Sequence, residues 1–294
     1  MSAVVAPGTL PDASEPTPGR LVEAARRSPR MRWPLYLLAG VLTFFLLFPI
    51  YLITIAAFSP RAALFAFPKS LVPTEVSTET LLFFLNSRGV LGSAWNSVLV
   101  GLITLALSLA IGTPAGYALA RYAFRGRDAF RMLILTTRAF PIVILAVPLA
   151  VSFIQWGLYD TVFAVALVHT ALALPTTVLI TSSIFIAVPR DVEEAALTLG
   201  CTPLGAFTRV ALPLALPGLA ASSIFTFVLS WNEVFAASIL TVVNRTLPAQ
   251  VFSSLSDSPL PYRFAGGFAL IVPSLVFIFF IRRYLFNMWG RVSR

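Results

Sequence analysis

Glu194-Ala195-Ala196-Leu197-Thr198-Leu199-Gly200, followed by Val210-Ala211-Leu212-Pro213, is the stretch on which the reading of this chain turns. It is polar, short and bracketed by long apolar runs. Pro189-Arg190-Asp191 stops the run before it. Asp191 has the chemistry of a helix N-cap, and Glu194 falls three residues later, as in a capping box. These signals predict a helix to about Leu199, with Gly200 as the left-handed residue just past its end. Thr202 is placed to cap a second short helix whose first position is Pro203. Arg209 closes that helix and Pro213 opens the next apolar run. The expectation is two short helices and a sharp turn, held at a membrane surface.

The flanking composition supports the membrane. Of the 294 residues 58% are hydrophobic and only 11% charged, with mean hydropathy +0.88; soluble domains carry about 25% charged residues. A spanning helix needs about 20 apolar residues, so the length allows six spans. The alternating segments of a transmembrane barrel are absent. The net charge of +9 is read as orientation charge rather than a nucleic-acid footprint, because the basic residues flank apolar runs. A single cysteine, Cys201, excludes an internal disulfide. The one histidine, His169, has no Cys/His cluster around it to hold a metal.

In chain order, residues 1–32 hold five prolines and few large apolar residues, which predicts a disordered tail. The apolar run after them is too long and too late for a signal peptide. Spans are expected at about 33–58, 93–122, 129–156, 160–188, 213–240 and 265–289. Gly112 and Gly116 in the second have the spacing that lets membrane helices approach closely. The loops expected outside hold Arg61, Lys69, Arg88, Arg245 and Arg263, five of the 21 basic residues. Both termini and the Glu194 loop are therefore expected in the cytoplasm.

No GxxxxGK[ST] phosphate loop occurs, so ATP hydrolysis by that route is excluded, and no catalytic set surrounds the single His. Intramembrane polar residues are functional candidates by default. Arg138 either snorkels to the cytoplasmic surface or pairs internally, or else touches substrate. His169 either bonds a neighbouring helix or lines a pathway. Asn232 and Glu233 fall in the outer half of the fifth span, where Glu233 either pairs with a cation on a partner or accepts hydrogen bonds from solute hydroxyls.

The spacing Glu-Ala-Ala, three residues, Gly, nine residues, an aliphatic, one residue, Leu-Pro resembles the EAA motif of importer-type ABC transporter permeases. The phrases Gly116-Tyr117-Ala118-Leu119-Ala120-Arg121 and Trp231-Asn232-Glu233 are similar to those of its carbohydrate branch, the type of the smaller permease subunit of maltose transporters. The resemblance implies an all-α membrane protein with the six-span type I ABC importer permease architecture. It implies a tail at 1–32, a permease domain at 33–294, and a coupling helix pair at 189–212 that docks on a separate ATPase. Expected at that interface are Glu193, Glu194, Ala195, Ala196, Leu197, Leu199, Gly200, Pro203 and Arg209. The candidate translocation pathway comprises Asn232, Glu233, His169 and Arg138. Implied partners are a second homologous permease subunit, two ATP-binding subunits, an extracytoplasmic solute-binding protein, a sugar-like solute and the lipid bilayer of a bacterial or archaeal inner membrane. No cofactor is expected on this chain; ATP and Mg would sit on the partner subunits. Rival readings are a related permease for glycerol phosphate, a polyamine or a peptide, an ion-gradient secondary transporter, which usually shows internal repeats and intramembrane carboxylates, and a membrane scaffold.

Overall fold

A computed structural model describes residues 32–68, 71–72, 75–254 and 257–292, with side chains up to residue 281. Residues 1–31 of the tail predicted at 1–32, and the basic side chains at the C-terminal end, lie outside the described residues, while Arg32 begins the first helix. The chain divides after Leu52 into two units.

All regular structure among the described residues is helical. Helix α1, Arg32–Ala57, is apolar along its length. Two short helices follow, α2 at Arg61–Phe65 and α3 at Glu79–Leu85. The second unit is built on α4 (Val90–Arg121), α7 (Val162–Ala187) and α10 (Leu212–Asn232). Between α4 and α7 lie α5 (Arg127–Thr137) and α6 (Ile142–Gln155). Between α7 and α10 lie α8 (Arg190–Thr198) and α9 (Pro203–Ala206). The chain continues through α11 (Phe235–Leu240), α12 (Leu247–Ser253) and α13 (Leu260–Val292).

Among the described residues five helices are long and apolar enough to cross a membrane, or six if the bent pair α5 and α6 is counted as one span. The sequence expectation of six spans is met when that pair is counted as one, and the stretch expected as the third span is not one helix. Its halves meet at 87°. Pro141 has no N–H to donate and pushes Phe140 away from helical geometry, so the helix stops at Thr137. Arg138 therefore sits at a corner rather than a set depth inside a straight span. The fifth span is also displaced. It runs without interruption from Pro203 to Asn232, through a π-helical turn at Phe207–Ala211. That wide turn precedes Pro213, whose ring would otherwise press on the carbonyl one turn back. The predicted second short helix is thus the first turns of the span, and Arg209 lies within it rather than closing anything.

The core of the second unit is close contact between α4 and α7. A Cβ added at Gly112 would lie 2.8 Å from Thr177 Cγ2, and one at Gly116 would lie 2.0 Å from Thr181 Oγ1. The Thr181 hydroxyl donates to the Gly112 carbonyl at 3.0 Å. Small residues let the backbones approach, and hydroxyls then bond across the seam. Thr177 and Thr226 join α7 to α10 at 3.1 Å.

Candidate functional site

The loop at 189–212 is shaped by its termini. Pro189 at φ −59°, ψ 132° is the cap of α8, two residues before the predicted cap, and no side-chain hydrogen bond caps it. Asp191 and Glu194 therefore form no capping box; Asp191 lies in the first turn, where a negative charge suits the helix dipole. The C-terminus follows the sequence reading. Gly200 has φ +90°, the Gly200 N–H donates to Leu197 and the Cys201 N–H to Ala196, each at 3.0 Å. This is a complete Schellman turn. Thr202 Oγ1 then accepts from the Gly205 N–H at 3.1 Å, with Pro203 first in α9.

The two turns present an apolar surface. Leu199 is 86% exposed and Leu204 70%, with Val192 and Leu197 half-exposed beside them. Glu194, Ala195, Pro203 and Arg209 are exposed too. Glu193 and Ala196 are not, because both are buried in this chain and lie beneath that surface. Glu193 turns inward to α4. Tyr117 Oη donates to its Oε2 at 2.8 Å, and Arg121 donates to its Oε1 through Nε at 2.8 Å and through Nη2. Tyr117 is itself held between Phe207, at 4.5 Å between ring centroids, and Phe185, at 5.2 Å.

A second polar centre lies along the bundle. Arg138, Asn232 and Glu233 line one cleft of about 300 Å³, with Thr137, Phe140 and Pro175 among its walls. The corner at Arg138 and the end of α10 bring them together, two features that straight spans would not supply. His169 does not line the cleft. It is fully buried and stands behind Glu233, with Nε2 3.1 Å from Oε2 and Nδ1 2.9 Å from the Ser230 hydroxyl. Glu233 follows the last residue of α10 and also accepts the Ala236 and Ala237 N–H groups at 3.0 and 3.2 Å. Its carboxylate holds the first turn of α11 from the residue before the cap, Val234, so it is not a charge within a continuous span. Glu233 also lines the cleft beside Asn232 and Arg138.

Residues 112–288 match the model of the family described as binding-protein-dependent transport system inner membrane component. The chain belongs to that family. Among similar proteins is the trehalose transport system permease protein SugB of Mycobacterium tuberculosis, 32% identical over 75% of this chain and 86% of that protein. The arabinooligosaccharides transport system permease protein AraQ of Halalkalibacterium halodurans is 30% identical over 88% of this chain and 95% of that protein. A bacterial ABC transporter involved in the import of the acidic polysaccharide alginate shares the fold, with TM-score 0.66 and 23% identity over 89% of this chain and 97% of that chain. As a family member the chain is a multi-pass inner membrane component of a transport system, an ABC importer permease.

Three contributors in this permease went unassigned at the sequence level. Tyr117 and Arg121 stood in a quoted phrase with no role, although a cation in the last turn of a span at its basic end is a recognisable signal. Leu204 follows the capping Thr202 and Pro203, and its exposure follows from the turn.

Proposed function

We propose that this chain is one of the two permease subunits of an ATP-driven importer for a sugar or sugar-like solute, a disaccharide, oligosaccharide or polyol. The carbohydrate assignment is supported by the trehalose and arabinooligosaccharide permeases it resembles. Residues 33–294 form the permease domain, and both termini and the 189–212 loop face the cytoplasm, as the distribution of Lys and Arg favours. The loop docks into one of two ATP-binding subunits, which bind ATP and Mg. A second permease completes the pathway and an extracytoplasmic binding protein delivers the solute. The cleft at Arg138, Asn232 and Glu233 faces that route, where a carboxylate, an amide and a guanidinium suit hydroxyl groups.

The observation that carries the proposal is the exposed apolar surface of Leu199 and Leu204, raised on a Schellman turn in a loop rich in small residues. Single surface leucines need no explanation, but two leucines this exposed within six residues, each left outward by a turn of fixed geometry, suit a surface that a partner covers. Leu199→Glu tests it: with the ATP-binding subunits co-expressed, membrane abundance should hold while their copurification with this chain, and solute uptake, fall. Unchanged copurification of Leu199→Glu would remove the docking assignment.

A further inference from the structure

The buried centre beneath the docking surface has no role in the reading above. Arg121 is the last residue of α4, and its guanidinium reaches two other elements. It bonds Glu193 on α8 through two nitrogens and the Val188 carbonyl at the end of α7 at 2.9 Å. Arg190, the first residue of α8, returns a bond of 3.3 Å to the Ala120 carbonyl. Tyr117, one turn earlier on α4, holds the second oxygen of Glu193. The Arg121 and Glu193 side chains are each 8% exposed. A buried pair of this kind is weak evidence for stability, but it fixes geometry, since a two-nitrogen approach tolerates little displacement.

We infer that Glu193, Arg121 and Tyr117 are positioning residues that make the docking helix α8 and the long helix α4 one mechanical body, so that movement of the loop is delivered to α4. This rests on the docking reading of the 189–212 loop. Helix α4 is placed to carry the movement. It is locked to α7 through Gly112 and Gly116. Thr104, about 25 Å along the same helix from Arg121, lies 3.4 Å from the Ser230 hydroxyl that bonds His169, the partner of Glu233. One continuous set of packed and hydrogen-bonded groups joins the loop to the cleft. Such a route becomes a coupling only when altering one end changes the work done at the other.

The test uses the complete transporter, both permeases and both ATP-binding subunits, in lipid vesicles with its binding protein and solute. The quantity read is solute transported per ATP hydrolysed. Glu193→Gln keeps the shape and removes the charge. Tyr117→Phe keeps the ring between Phe185 and Phe207 and removes one donor. Glu193→Gln should assemble and hydrolyse ATP while the ratio falls about tenfold, the scale of one charge-assisted hydrogen bond. Tyr117→Phe should lower it less, and the double variant should be no worse than Glu193→Gln, because both act through one carboxylate. An unchanged ratio in Glu193→Gln overturns the inference, even where uptake and assembly fall together. If Glu193→Gln does not accumulate, Tyr117→Phe decides: a lowered ratio supports the tie and an unchanged one overturns it. Leu199→Glu separates the two layers. Full copurification of that variant defeats the docking reading and the tie with it. Lost copurification there, with a normal ratio in Glu193→Gln, defeats the tie alone.

Discussion

Glu193 and Glu233 are both carboxylates that accept three hydrogen bonds inside the protein, and they differ in where those bonds come from. Glu193 is held by Arg121 and Tyr117, side chains of another helix more than 70 residues earlier. Glu233 is held by two backbone N–H groups of the turn it begins and by His169. The first arrangement ties distant elements together through a carboxylate in the wall of the cleft behind the docking loop. The second fixes a carboxylate locally, in the wall of the cleft it shares with Arg138 and Asn232. A permanent cation suits a fixed joint, because a guanidinium stays charged and its fork has one good geometry. A backbone cap suits a group that must stay in place while its surroundings change.

That difference can be broken at either end. The largest effect is expected for Arg121→Ala, which leaves the Glu193 carboxylate buried without its cation. Removing one partner of a buried pair costs about 3–5 kcal/mol, so the detergent-extracted protein should melt well below the unaltered chain. Unaltered melting would mean that the pair is not buried as described. Glu233→Gln should be milder. The amide oxygen still accepts from the turn of α11, and about 1.5–3 kcal/mol of charge-assisted bonding is lost. Membrane abundance should be near normal and uptake reduced, through the cleft rather than through folding. A fall in abundance as deep as that of Arg121→Ala would erase the distinction between the two sites.

The sequence carried much of this at its helix ends and little of it across helices. Gly200 and Thr202 were legible because a left-handed turn and an N-cap each select residue types within a few positions. The seam at Gly112 and Gly116 was legible for the same reason, since its spacing lies on one helix face. Asp191 misled because Pro189, with its fixed φ, caps the helix two residues earlier and leaves the capping box unformed. The third span misled because apolar composition does not register an 87° bend, although Pro141 marked the place. Glu193 looked like an interface residue beside Glu194. One step along a helix turns a side chain by about 100°, and Arg121 lies 72 residues away, a separation that no local pattern encodes.

The central claim is that the turn at Gly200 couples this permease to an ATP-hydrolysing partner, and one substitution tests it most directly. Space within this chain is open around a Cβ at Gly200, but its φ of +90° is one that side chains rarely adopt. Valine there is strained by about 1–2 kcal/mol, and its branch projects outward into whatever docks. Solute uptake and membrane abundance should be measured together for Gly200→Val in the co-expressed transporter. The account predicts normal abundance, because the turn lies outside the spans, with uptake lower by about fivefold or more. Normal uptake at normal abundance would contradict it.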